Sequence, residues 1–419
     1  MPRHSQRSRL IAQHVELLRR RLPGHYLRQA FDVRDPDEDD ANNAIWTRFI
    51  QLIQTRYSSP RHQRARQPNF AWFLFQCSDR EFLRSFRMER SSFQSLVSLV
   101  KNDPVFHCRA GGRCMAAPGE QLLVYLKYIG TQGSDASTEN LSLLFGIGSG
   151  ASYDYIGRCT SALLSHYQDI VRWPSADERK MLSQKMAVGF DFPNCVGLVD
   201  GTLLPLAFKP ALSGEDYYTR KGGYAINALI FCDDMAKVTY MVVGWPGSSH
   251  DNRVWSNSAI YNRPLDHFDN GQYILGDSAF RASRYIVPAY KKLQGGVISR
   301  EKEFFNYKLA KLRIRVEHCI GVLKARFQYF RGIRVIIKTT EDMNRIIRLF
   351  MSAVVVHNLL ILEPIPSDLQ DDLEKENEIE EVDDGCGVNE TDYSVMKRST
   401  IQTIFAQMKI AEISSFVIL

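Results

Sequence analysis

The chain has 419 residues, of which 44% are hydrophobic and 24% are charged. This composition excludes collagen, coiled coils and wholly disordered chains, and it supplies enough apolar material for two or three domains. The longest apolar run, 349–362, is too short to span a bilayer, and the first 20 residues lack the apolar stretch of a secretory signal. We therefore expect no membrane association.

Charge is distributed unevenly along the chain. Residues 363–392 contain 13 acidic residues and one basic residue, whereas the whole chain has a net charge of +6, so the remaining residues sum to +18. A basic body beside an acidic segment suits a polyanionic partner, most often nucleic acid. A general bias towards solubility would explain the same charges.

The N-terminal part of the chain is expected to be helical. Residues 1–69 are rich in arginine and predict a basic, loosely ordered segment with short helices at 11–21 and 44–55. Residues 70–185 predict a helical region, within which 119–165 indicates three short helices. Their arrangement is typical of a helix-turn-helix, whose last helix can enter the DNA major groove. Such units are as often plain scaffold, so DNA reading stays open.

Residues 190–362 predict a mixed α/β domain. Short runs of β-branched and aromatic residues bounded by Gly, Pro and Asp indicate four strands, and two apolar helical patterns follow them. The strands are expected at 196–199, 224–231, 238–243 and 273–275, and the helices at 306–330 and 341–362. After this domain, 363–394 reads as an acidic linker and 395–419 as a C-terminal helix.

Four carboxylates are candidate site residues. Asp200 and Asp277 stand beside glycine at predicted strand ends, Asp251 stands in a predicted turn, and Glu317 lies on the first of these helices. An isolated acid on a basic helix is usually an ordinary salt-bridge partner. Acids at the ends of buried strands, however, need cations or hydrogen bonds. Converging carboxylates bind Mg²⁺ or Mn²⁺, and two such ions about 3.5–4 Å apart can cleave a phosphodiester by in-line displacement. The sequence therefore predicts a divalent-metal site.

Five motifs in this order resemble the nuclease domain of PIF/Harbinger-type transposases. They are the segments 197–202, 217–227, 247–255, 276–280 and 305–327. The resemblance implies an RNase H-like fold, a divalent metal, and cleavage plus strand transfer of DNA at transposon ends. It matches Asp200, Asp251 and Glu317 to the family's catalytic triad and Asp277 to an additional acidic position. Because Asp277 ends a predicted strand and Asp251 sits in a turn, either acid is a candidate for the second core ligand.

The chain departs from the family pattern at one position near these acids. Leu203 stands where the family usually has His after Asp-Gly-Thr, which removes a hydrogen bond near the metal but no metal ligand. Seven basic residues around the acids are predicted to hold nucleic acid: Arg220, Lys221, His250, Arg253, Arg313, Lys324 and Arg326. Arg220 and Lys221 could equally belong to a solvated loop. His250 could equally be a turn histidine bonded to the backbone.

The expected function is that of a divalent-metal-dependent DNA endonuclease or transposase with a two-metal mechanism. The alternative is a domesticated, catalytically silent DNA-binding or chromatin-recruitment protein that keeps the fold. Hydrolysis of a small phosphorylated substrate is a third reading, which predicts no salt-sensitive DNA affinity. A DNA substrate and the basic N-terminal arginines predict a nuclear location, with the cytoplasm left open, and the resemblance implies a Myb-like protein partner. Strand transfer at paired DNA ends would favour a homodimer.

Overall fold

The computed structural model describes residues 6–31, 35–54, 68–107, 115–291 and 298–363. They fall into two compact units, within Met1–Arg66 and Gln67–Leu419. The first unit is a pair of helices, α1 (Gln6–Ala30) and α2 (Pro36–Gln54), both longer than the short helices predicted there. Ion pairs between the end of α1 and the start of α2, such as Arg28 with Glu38 at 2.6 Å, join the two helices.

The second unit begins with helices, as predicted for residues 70–185. They are α3 (Asp79–Phe86), α4 (Arg90–Val100), α5 (Pro118–Ile129), α6 (Thr138–Leu144), α7 (Ser149–Ser165), α8 (Tyr167–Ile170) and α9 (Ala176–Phe190). Helices α5, α6 and α7 are the three helices predicted within 119–165. The Ser137 hydroxyl caps α6, and Gly146, with φ of 63°, follows its end. A DNA-reading role for α7 stays a prediction, and its exposed face carries the acidic Asp154.

A five-stranded mixed sheet follows the helices and confirms the mixed α/β class. Its strands are β1 (Cys195–Leu206), β2 (Tyr224–Cys232), β3 (Val238–Pro246), β4 (Tyr273–Gly276) and β5 (Ile286–Pro288). Their order across the sheet is β3-β2-β1-β4-β5. Strands β1, β2 and β3 pair antiparallel, whereas β4 and β5 run parallel to β1. Short helices α10 (Asp251–Ser256) and α11 (Ala259–Asn262) lie between β3 and β4 in the chain.

Two long helices complete the described part of this unit, α12 (Arg300–Arg326) and α13 (Thr340–Leu359). The apolar residues of α12, among them Leu312 and Val316, share one core cluster with Leu198 of β1. A second cluster on the other side of the sheet joins Val199 to Trp255 of α10. The sheet is therefore covered by α12 on one face and by α10 on the other, because successive residues of β1 point to opposite faces.

The end of the first strand differs from the prediction. We expected a strand ending at Val199 with Asp200 at its end, and this is wrong, because β1 continues to Leu206. Antiparallel pairing with β2 extends to the pair Leu206 and Tyr224, so the hydrogen-bond ladder carries the chain through the Asp-Gly step. Asp277 does follow a strand end, since β4 stops at Gly276.

The structure describes no residue after 363. The predicted C-terminal helix at 395–419 therefore lies outside the described residues, as does the predicted linker at 363–394 except for its first residue. The domain boundaries drawn from the sequence stay predictions. Within the part of the chain that the structure describes, no helix combines the length and the apolar character required to cross a bilayer.

Candidate functional site

Asp200 and Asp277 lie side by side at the centre of the sheet. Leu198 of β1 pairs with Leu275 of β4 in parallel register. Asp200 follows the first of these residues by two positions, and Asp277 follows the second by two positions, just after β4 ends. Asp200 is directly opposite Ile230 of β2, a member of the core cluster that contains α12. The Asp200 carboxylate therefore belongs to the side of the sheet that α12 covers, and Asp277 is near enough to raise its pKa.

Glu317 and Arg313 of α12 reach this side of the sheet from above. The Arg313 Nη2 atom lies 3.1 Å from Glu317 Oε1, one helical turn away, and 3.6 Å from Asp200 Oδ2. The side chain of Arg313 is 15% exposed, that of Asp200 16% and that of Glu317 32%. The group is therefore reached by solvent mainly at Glu317. One guanidinium thus lies between two carboxylates that come from different elements.

Burial and the charged neighbours of Asp200 perturb its ionisation. Its pKa is raised from 3.8 to about 7, chiefly because burial penalises the charged carboxylate. Arg313 opposes this shift, whereas Asp277 and Glu317 both add to it. Two further acids are therefore close enough to repel a charge on Asp200, and an extra cation at this point would be favoured.

Asp251 approaches from the other face of the sheet. It is the first residue of α10, whereas the sequence had predicted a turn. Its carboxylate lies against Gly201, where an added Cβ would be 2.2 Å from Asp251 Oδ2. Burial raises the pKa of Asp251, a hydrogen bond from Asn227 lowers it, and Asp277 raises it. Asp277 is consequently the acid that is near both Asp200 and Asp251.

Asn227 is a site residue for which sequence reasoning assigned no role. Its Nδ2 donates to Asp251 Oδ1 at 2.9 Å and to the Ser249 carbonyl at 2.8 Å, which fixes the approach to α10. The sequence feature that could have identified Asn227 is its position as a single polar side chain in the otherwise apolar run of β2. Its Oδ1 atom is buried and has no hydrogen-bond partner among the described residues. Leu203 is the residue directly opposite on β1.

The predicted DNA-binding residues differ in their exposure. Arg220, Lys221, His250 and Arg253 are exposed, and both Arg220 and His250 are close enough to lower the pKa of Asp251. Arg313 lies inside the acidic group, and Lys324 is half-buried further along α12.

Arg326 does not fit the predicted role. Its side chain is 1% exposed, and its Nη1 donates to the carbonyl of Leu360 at 3.1 Å. Burial lowers the pKa of Arg326 to about 10. The predicted DNA contact by Arg326 is therefore wrong, because this guanidinium joins the ends of α12 and α13 inside the protein.

The donor set suits a hard divalent cation, although the acids are not gathered around one point. Within the described ranges, no group of three or more His, Cys, Asp or Glu residues stands close enough together to hold a metal ion. Asp200 and Glu317 instead share the positive charge of Arg313. Carboxylate oxygens are the ligands that Mg²⁺ and Mn²⁺ prefer, and a cation already lies between two of them. The donor chemistry of these residues therefore suits such an ion.

Comparisons with known proteins give the same region of the chain. Residues 199–358 match the family described as DDE superfamily endonuclease. The chain is 24% identical over 300 residues to "Protein ALP1-like" of Arabidopsis thaliana, which covers 66% of this chain and 69% of that protein. It is 24% identical over 220 residues to the human protein "Putative nuclease HARBI1", covering 50% of this chain and 60% of that one. No solved structure matches the chain.

Proposed function

Since this chain is a homologue of the Harbinger transposase-derived nucleases, with a DDE superfamily endonuclease segment at 199–358, we propose that it cleaves phosphodiester bonds in DNA with the aid of divalent cations. The observation that carries the proposal is that Asp277 and Glu317 both lie near enough to Asp200 to raise its pKa, although the three acids come from the end of β4, from α12 and from β1. Acids contributed by separate elements are what metal-assisted phosphodiester chemistry requires.

The fold supports this proposal. A meander of three antiparallel strands, two further strands parallel to the first, and a long helix over the central strand agree with the RNase H-like architecture that the family resemblance implies. In this reading β1 provides the first acid, the end of β4 the second, and α12 the third. Each acid is held by the hydrogen bonds of a regular element or its terminus, which keeps the carboxylates in place.

We assign Asp200, Asp277 and Glu317 as the core acids, and Asp251 as a supporting acid. The parallel register of β1 and β4 favours Asp277 over Asp251 as the partner of Asp200. Asp277 is further positioned by its own turn, in which its Oδ1 accepts the Ala279 N–H at 2.8 Å. Asp251, packed on Gly201 from the opposite face, adds negative charge near Asp277.

A divalent cation bound by the core acids would activate water or a 3′-hydroxyl and stabilise charge on the leaving oxygen. The protein's own part is to hold the carboxylates and to orient the DNA backbone. Asn227 keeps Asp251 in place through the hydrogen bond to its Oδ1. Exposed Arg220, Lys221 and Arg253 are suited to grip phosphates beside the acids. His250, exposed before Asp251, is suited to orient a phosphate or to move a proton.

The partners and location follow from the same proposal. We include DNA as the substrate, a nuclear location, a Myb-like protein partner and a dimer at paired DNA ends, as the resemblance implies. The matched regions cover 69% and 60% of the two proteins named above.

Nicking of supercoiled plasmid DNA in Mn²⁺ tests the activity. We expect the wild type to nick DNA, and Asp200→Ala and Glu317→Gln to lose at least about 100-fold in rate, since even the residues that support metal ligands are worth about 10–100-fold. Asp177→Asn is the matched control, because this carboxylate is 92% exposed at the start of α9. Equal nicking by wild type and Asp200→Ala would refute the proposal.

A catalytically silent DNA-binding protein is the second candidate. Two observations favour it. Leu203 leaves the buried Asn227 Oδ1 unpaired among the described residues, beside Asp251, and the described acids are not drawn together around a common point. This candidate predicts salt-sensitive DNA binding with no nicking in Mn²⁺, and identical behaviour of the wild type and the Asp200→Ala variant.

A further inference from the structure

We propose that Arg313 is an internal counter-ion that holds the acidic site in its metal-free state and is displaced when a divalent cation binds. This inference rests on the proposed function and concerns the regulation of the same site. Its starting point is a single atom, Arg313 Nη2, that lies within 4 Å of both Asp200 and Glu317.

The contact geometry is that of an exchangeable partner. A guanidinium that grips one carboxylate permanently does so through two parallel N–H groups. Here one nitrogen is shared between two carboxylates, at 3.1 Å and 3.6 Å. The helical contact with Glu317 is an i, i+4 pair, which is weak by itself. The contact with Asp200 links Arg313 of α12 to an acid on β1.

The charge balance explains why a counter-ion is needed. Asp200 is only 16% exposed, and the Arg313 guanidinium lies 3.6 Å from it and 3.1 Å from Glu317. Buried carboxylates without a cation are costly. A divalent ion supplies twice the positive charge of a guanidinium and accepts oxygens from several acids at once. Metal and Arg313 would then compete for the same oxygens.

The position of Arg313 allows such an exchange. Its side chain is 15% exposed, so its long stem is not sealed in the core. Arg315, two residues along α12, is exposed on the helix surface. Because residues two apart on a helix point to nearly opposite sides, Arg315 marks the solvent face of α12, and a displaced Arg313 guanidinium would reach solvent along its own side of the helix.

Mn²⁺ binding to purified variants, followed by the loss of the free Mn²⁺ signal in electron paramagnetic resonance, tests the competition. Arg313→Gln is the test variant and Arg315→Gln its control, with the same chemical change on the same helix. We expect Arg313→Gln to bind Mn²⁺ at least about tenfold more tightly than the wild type, since a charge-assisted contact that must be broken is worth a factor of this order. Arg315→Gln should bind as the wild type does.

Thermal unfolding gives a second readout. In EDTA, Arg313→Gln should unfold at a lower temperature than the wild type, because Asp200 has lost its counter-ion, and Mn²⁺ should raise its unfolding temperature more than that of the wild type. If Arg313→Gln does not fold, Arg313→Lys, which keeps the charge on a differently shaped group, should bind Mn²⁺ more tightly than the wild type.

Two negative results have different meanings. If Mn²⁺ binds the wild type and needs Asp200, but the Arg313 variants bind it no more tightly, the counter-ion proposal is overturned and the proposed function stands. If Mn²⁺ binding is indifferent to Asp200→Asn in both backgrounds, the metal site itself is refuted, and with it the proposed function.

Discussion

Replacing Asp200 by asparagine should stabilise the metal-free protein, by an amount that depends on pH. The pKa of Asp200 is about 7 in the folded protein, against an ordinary value of 3.8, mainly because of burial and the neighbouring acids. Between these two values the folded protein keeps the proton and the unfolded chain releases it. The free energy of unfolding therefore falls by about 1.4 kcal/mol for each pH unit in this interval.

Over about three pH units this loss amounts to about 4 kcal/mol and is complete above pH 7. Asparagine cannot ionise, so it escapes the loss while it keeps nearly the same shape. Asp200→Asn should match the wild type near pH 4 and exceed its free energy of unfolding by up to about 4 kcal/mol at pH 8, in EDTA. The sign is unusual for an aspartate, whose folded pKa is more often depressed.

Urea unfolding followed by tryptophan fluorescence, at several pH values between 4 and 8, measures the difference. Asp177→Asn is the control for a generic loss of charge, because that side chain is exposed, and it should show little pH-dependent difference. Saturating Mn²⁺ should reverse the order at pH 8, because the wild type then gains binding energy that the asparagine variant lacks. If the difference in free energy of unfolding between Asp200→Asn and the wild type does not change with pH, the raised pKa of Asp200 is refuted.

Further substitutions give separate tests. Gly201→Ala places a Cβ within 2.2 Å of Asp251 Oδ2, so it should displace that carboxylate and lower nicking at least about tenfold with little change in DNA affinity in gel shifts. Asn358→Ala removes the side chain that bonds Val238 N–H and C=O at 2.9 Å and 2.7 Å, and should cost about 2–4 kcal/mol in urea unfolding. Arg253→Gln should reduce the slope of log affinity against log salt by about one for DNA, whereas the buried Arg326→Met should lower stability and leave that slope unchanged.

Much of the fold could be predicted from local pattern. β-Branched and aromatic residues bounded by turn residues identified β2 and β3 to within a few residues, although β2 is buried almost throughout and has no solvent-facing side. Ser137 and Gly146 marked the ends of α6 for equally local reasons. Strand β5, only three residues long at Ile286–Pro288, was not predicted, since so short a run has no period of its own.

The site was predictable in its residue types and less so in its arrangement. The sequence identified all four acids and the pairing of Arg313 with Glu317 along one helix. It could not reveal that Asp200 lies within β1, since an Asp-Gly step reads locally as a turn and only the ladder to β2 overrides it. The contact of Asp200 with Arg313 and the hydrogen bond from Asn227 depend on tertiary packing, which no spacing in the sequence encodes.

The most direct test is a crystal structure of the protein with Mn²⁺, in which anomalous scattering identifies the ion. The account predicts a peak about 2.0–2.3 Å from an Asp200 oxygen, with a carboxylate of Asp277 or Glu317 as a second ligand and Arg313 turned away. Anomalous peaks that avoid Asp200, at a Mn²⁺ concentration that supports nicking, would contradict it.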